Sequence, residues 1–171
     1  MENIISIKNL SVGFKSGQKR KNVVNSVSFN IPKGKTVALV GESGSGKTVT
    51  SLSILKLLPY PNAYHDSGEI IYNNMNLLKL SNKQIQKIRG KNITTIFQEP
   101  LSSLNPLHTI EKQVNEILVN HNKISYLKAS KITKELLNSV GLQNIANRLK
   151  SYSYELSGGQ RQRVMIAMSI A

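Results

Sequence analysis

The 171 residues contain no cysteine, which excludes disulfides, thiolate zinc sites and iron–sulfur clusters from this stretch of chain. Aspartate is almost as scarce: Asp66, in the loop-like segment PYPNAYHDSG, is the single one. No apolar run approaches the roughly 20 residues that cross a bilayer. The N-terminus MENIISIKNL lacks the charged start and apolar core of a secretion signal, so a cytoplasmic protein is expected. Negative charge is short throughout, with 9 acidic residues against 23 lysines and arginines and a net charge of +14. The cations are spread along the chain and only KSGQKRK is dense. No nucleic-acid recognition motif accompanies them, and the abundance of Asn and Ile beside Lys fits an AT-rich coding sequence, so no nucleic-acid partner is expected. There is no internal repeat and no low-complexity segment. With 39% hydrophobic residues the chain can hold one ordinary domain with a core.

What is present is concentrated in VALVGESGSGKTVTSLSILKLL. Val37 to Val40 is a short continuous apolar run after the turn-like Pro32, Lys33 and Gly34, the pattern of a strand buried on both faces. Val49, Leu52, Ile54, Leu55 and Leu58 then fall at helical spacing, and Pro59 stops the helix. Between them Gly41, Glu42, Ser43, Gly44, Ser45, Gly46, Lys47 and Thr48 fill the P-loop pattern G-x-x-x-x-G-K-[ST]. Glycines let the backbone wrap close to a triphosphate, and consecutive N–H groups with the positive helix end face its oxygens. Lys47 would hold the β- and γ-phosphates of ATP and the Thr48 hydroxyl would ligate Mg²⁺.

Elsewhere IISIKNL (4–10) and VVNSVSFNI (23–31) alternate as half-buried antiparallel strands do, with KSGQKRKN as a polar loop between them. GEIIY (68–72) reads as a strand, NNMN (73–76) as a turn, and NITTIF (92–97) as a second central strand ended by QEP. Ser81 with Gln84 is a capping-box pattern that starts a short helix. Past residue 100 the pattern turns helical. Ile110, Val114, Ile117 and Leu118 form one stripe, and Ile132, Leu136, Leu137 and Val140 another that Gly141 terminates. Both stripes read as packing faces.

A second glycine turn, LSGGQ (Leu156 to Gln160), opens the last helix: Ser157 can cap it, and Gly158 and Gly159 permit close approach to an anion. P-loop and LSGGQ together resemble the nucleotide-binding subunit of ATP-binding cassette (ABC) transporters, in which LSGGQ closes on the γ-phosphate of ATP held by the opposite subunit's P-loop. The resemblance implies that Ser157, Gly158, Gly159 and Gln160 contact that nucleotide. It implies further that Phe97-Gln98 is the Q-loop, with Gln98 reaching Mg²⁺ and the attacking water, and that Phe14 stacks on adenine. FQEPLSSLNPLHTI (97–110) and YSYELSGGQRQRVMIAM (152–168) look like the oligopeptide and dipeptide importer ATPases. ILKLLPYPNAYHDSGEI with SLNPLHTIEKQ looks like the tandem-cassette ATPases of peptide and microcin C uptake. Ser153 and Tyr154 replace the family's usual Pro-His, and Thr48 the commoner Ser.

The implied fold is α/β: a P-loop NTPase, RecA-like core with an antiparallel β subdomain and an inserted α-helical subdomain. Residues 1–171 would be a partial nucleotide-binding domain, incomplete at its C-terminus. Its parts would be the β subdomain and P-loop core (1–97), the Q-loop and helical subdomain (98–160), and the start of the helix after the signature (161–171). Implied partners are a second nucleotide-binding domain and transmembrane permease subunits touching Gln98 to Pro106, at the cytoplasmic face of the membrane. The family's Asp-Glu pair after an apolar strand and its switch histidine have no match here. Asp66 has no such strand before it, and His65, His108 and His121 read as surface residues. These residues are therefore expected to bind nucleotide weakly and not to hydrolyse it. Two alternatives stand beside peptide transport: a non-catalytic nucleotide-binding product, and a soluble cassette ATPase acting on nucleic acid.

Overall fold

A computed structural model describes residues 2–97 and 103–171. They form two compact units, Met1–Lys87 and Ile88–Ala171. The first is built on a four-stranded antiparallel sheet in the order β2-β1-β3-β4. Its strands are β1 (Asn3–Ser16), β2 (Lys19–Pro32), β3 (Ala63–Tyr72) and β4 (Met75–Asn76). Alternation drives it: Ile5, Ile7, Leu10 and Val12 of β1 are buried with Val24 of β2 and Ile70 of β3. Each such side chain contributes about 1.5–3 kcal/mol when fully buried.

The hairpin is longer than the pattern indicated. Most of the expected loop KSGQKRKN lies in the ladder, with Lys15 opposite Arg20 and Ser16 opposite Lys19, and the turn is Gly17 and Gln18 alone. Gly17 takes a left-handed φ of 59° there, which glycine adopts without strain. Strand β3 likewise absorbs much of PYPNAYHDSG, so Asp66 and His65 are strand residues rather than loop residues. His65, expected at the surface, is half-buried. Asn73 and Asn74, both at positive φ, make the turn between Tyr72 and Met75.

Helix α1 (Lys47–Ile54) ends before the expected Leu58. Lys56 turns left-handed at φ 52°, and the Leu57 N–H reaches back to the Leu52 carbonyl at 2.9 Å, closing the helix upstream of Pro59. Helix α2 (Asn82–Gln86) starts at the expected capping box, with Ser81 N–H donating to Gln84 Oε1 at 2.9 Å.

The second unit is helical: α3 (Ile110–Asn122), α4 (Tyr126–Ser139), α5 (Gln143–Ala146) and α6 (Gly158–Ser169). Ile110, Val114 and Leu118 pack with Leu137, Ile145 and Val164 in one core. Gly141, at φ 75°, stands past the end of α4 as the sequence indicated.

The two expected central strands do not form. Val37 to Val40 joins no sheet, and Val40 is 89% exposed. In 92–97 the ladder is a single bridge from Ile93 to Arg89, with Ile96 and Phe97 exposed. A strand exists only where a neighbour supplies its hydrogen bonds. The apolar runs are there, but among the described residues no strand lies beside them to complete a ladder. No helix of the described residues is long and apolar enough to cross a membrane.

Candidate nucleotide-binding site

Residues 41–46 link the Val37–Val40 segment to α1 and carry no regular structure. Gly44 (φ 80°) and Gly46 (φ 89°) lie where side chains are disfavoured. At Gly46 space is also closed, since a Cβ would meet Val24 Cγ2 at 2.9 Å and the Val23 carbonyl at 3.0 Å. The loop is thus seated against β2. Neither valine was singled out in the sequence, where nothing marks which apolar strand residue a glycine will touch.

Lys47 gathers the loop. Its Nζ donates to the Gly41 carbonyl at 2.8 Å, the Glu42 carbonyl at 2.6 Å and Ser45 Oγ at 3.3 Å. One ammonium group, on the half-buried first residue of α1, is therefore fixed over the curve of backbone that precedes the helix. Helices α2, α3, α4 and α6 are capped by Ser81, Thr109, Ser125 and Ser157, whereas α1 has Gly46 as N-cap and no side-chain cap. Its first-turn amides remain open to an anion. Thr48 is exposed on that turn, and Thr50 Oγ1 donates to the Gly46 carbonyl at 2.9 Å, tightening the loop-helix junction.

Phe14 belongs to the same unit. It is half-buried in β1 between Lys21 of β2 and Ala63 of β3. It is two residues from Val12, whose partner Val24 touches Gly46. The β1–β2 register shifts between Val12 and Gly13, so that Val12 faces Val24 while Gly13 faces Asn22. Lys21 stands opposite Phe14 and was not a sequence candidate.

In the second unit Ser157 N–H donates to Gln160 Oε1 at 2.9 Å and Gln160 N–H donates to Ser157 Oγ at 3.3 Å, a reciprocal capping box. Gly158 and Gly159 are exposed, and an added Cβ on either would meet nothing within 4 Å. Their amides open α6 toward solvent, and among the described residues the Ser157 hydroxyl acts only as an acceptor. Gln98 lies outside the described residues. Asp66 is engaged elsewhere, accepting from Asn22 Nδ2 at 3.1 Å.

A backbone cradle closed to side chains at Gly46, a lysine ammonium fixed above it and an uncapped helix start suit a polyphosphate and the divalent ion it carries. Fold and loop together define a P-loop nucleotide-binding protein. The family profile for ABC transporters matches residues 24–171, and the chain belongs to that family. It is 54% identical, over 98% of its length, to the peptidoglycan transport ATP-binding protein YejF of Agrobacterium fabrum, covering 31% of that protein. It is 45% identical, over 98% of its length, to the oligopeptide transport ATP-binding protein OppD of Bacillus subtilis, covering 47% of it. It also superposes on the dimeric post-hydrolysis structure of the ATP-binding cassette MJ0796 bound to ADP and Pi, with a TM-score of 0.84 at 29% identity over 98% of this chain and 69% of that one. The chain thus spans about a third to a half of the curated relatives.

Proposed function

We propose that the chain is the ATP-binding part of a cassette ATPase that powers import of peptides or peptide-like solutes. The observation that carries the nucleotide reading is the Lys47 ammonium held over the P-loop backbone by the Gly41 and Glu42 carbonyls. The N–H donors that Lys47 gives to those carbonyls are the ones a phosphate oxygen would accept in their place. ATP with Mg²⁺ supplies the phosphoryl group whose transfer drives the transport cycle. Lys47 and the α1 amides neutralise phosphate charge, Thr48 and Gln98 serve Mg²⁺, and Phe14 stacks on the base. Ser157, Gly158, Gly159 and Gln160 engage the nucleotide of a second cassette, in the same chain or in a partner. The peptide reading comes from the relatives' descriptions as peptidoglycan and oligopeptide transport proteins. Permease subunits would contact the region of Gln98 to Pro106, placing the chain peripherally on the cytoplasmic face of the membrane.

The test is equilibrium binding of a fluorescent ATP analogue with Mg²⁺. Hydrogen bonds to charged groups contribute about 1.5–3 kcal/mol, so Lys47→Ala should weaken binding about 10- to 100-fold. Equal affinity of Lys47→Ala and the parent chain would sink the assignment.

A further inference from the structure

The sheet treats its cations in two ways. Lys8 of β1 stands opposite Glu69 of β3 in the ladder, and its Nζ lies 3.3 Å from the carboxylate. Lys33, just past β2, is likewise 3.3 Å from Glu2 across the open end of the β1–β2 hairpin. The closed end is built otherwise. Lys15 stands opposite Arg20, Ser16 opposite Lys19 and Phe14 opposite Lys21, so four cations gather around the Gly17-Gln18 turn.

Directly opposed residues project to the same face with Cβ atoms about 4.5–5.5 Å apart, and like charges placed there repel. The Lys15–Arg20 pair therefore weakens the ladder it belongs to. No carboxylate offsets it. Residues 3 to 41 contain neither aspartate nor glutamate. Asp66 of β3 accepts from Asn22 Nδ2 at 3.1 Å, and among the described residues no ion pair reaches the tip. Arg20 lies instead over an aromatic ring, its guanidinium carbon 5.6 Å from the centroid of Tyr64. That contact uses the face of the guanidinium, and the N–H fork in its plane is left for phosphate oxygens.

Shape narrows the partner. Successive strand residues alternate faces, so Lys19 and Lys21 project to one side of the ribbon, and Arg20 with its partner Lys15 to the other. Residues 15 to 21 are all exposed. Charge on both faces of a ribbon end converges only when the tip meets a surface end-on. Residues 15 to 22, KSGQKRKN, include no aromatic or apolar side chain, so the tip has nothing to stack on bases or to insert among acyl chains. What it offers is a compact positive end for a flat anionic plane.

We propose that the tip of the β1–β2 hairpin docks end-on against an anionic phospholipid bilayer, with Lys15, Lys19, Arg20 and Lys21 on headgroup phosphates. An anionic leaflet attracts each lysine or arginine held near it. A phosphate between Lys15 and Arg20 turns their repulsion into two attractions. The proposal does not depend on the nucleotide reading.

The test is flotation of the full chain with vesicles of phosphatidylcholine alone and of phosphatidylcholine mixed with phosphatidylglycerol. Binding to the mixed vesicles only, reversed by raising the salt concentration, is expected. Lys15→Gln, Lys19→Gln and Arg20→Gln together should weaken it on the order of a hundredfold, at about fivefold per cation. The hairpin variant should melt no lower than the parent chain, because a repulsion is lifted. Removing the same charge from exposed positions of α4, with Lys128→Gln, Lys131→Gln and Lys134→Gln, should weaken binding less than about fivefold. Equal weakening by the two triple variants, no binding to the mixed vesicles, or tighter binding to single-stranded DNA that the hairpin substitutions abolish would each overturn the proposal.

Discussion

At the scale of single residues, the P-loop depends on backbone shape as much as on charge. Gly46 combines a left-handed φ with closed space against Val23 and Val24. Alanine there costs about 1–2 kcal/mol for the left-handed conformation and must also push Val24 aside. Gly46→Ala should therefore lower the thermal midpoint and abolish detectable nucleotide binding, whereas Gly17→Ala, at a hairpin tip with open space, should lower the midpoint alone. His65 carries a second residue-scale prediction. Burial, reinforced by the Lys56 charge, holds its pKa below the ordinary 6.5. The folded chain then binds fewer protons than the unfolded one, so this contribution to stability is full above pH 6.5 and is lost as pH falls from there toward the lowered value. The thermal midpoint should decline between pH 7 and 5, and His65→Gln should flatten that decline; an unchanged slope would remove His65 as its cause. Glycine spacing and the lysine were visible in the sequence. The burial of His65 was not, because its strand begins inside a segment whose Pro, Asn and Gly read as loop.

At the scale of elements, local chemistry explains why the helix starts were legible. A cap needs a side-chain acceptor within three residues of the amide it serves, so Ser81–Gln84 and Ser157–Gln160 carry their own geometry. Ser157→Ala should remove about 1 kcal/mol of stability and fray the first turn of α6, seen as faster hydrogen exchange at Gly159 and Gln160. Unaltered exchange would mean that the box does not hold the turn. Element lengths were less legible. The β1–β2 hairpin runs through its lysines because paired strands need only a two-residue turn, and α1 ends early through a left-handed lysine that no sequence rule flags.

At the scale of the whole chain, phosphoryl transfer needs acidic groups to orient water and metal around the phosphates. Within these 171 residues the single aspartate is hydrogen-bonded to Asn22 in the antiparallel sheet. We expect the chain by itself to bind nucleotide and to release phosphate no faster than Lys47→Ala does; a phosphate-release assay giving ordinary ATPase turnover would contradict this. The sequence by itself determined the phosphate loop, the helix starts at Ser81 and Ser157, the two helical packing stripes and the alternating strands, because each rests on residues within about one or two turns of one another. Only the tertiary structure decided that Val23 and Val24 back the loop, that Gln113 ties down Asn105 and His108, and that Val37 to Val40 pairs with nothing among the described residues. Those outcomes depend on which distant segments meet, and an apolar run states its need for burial without naming its neighbour.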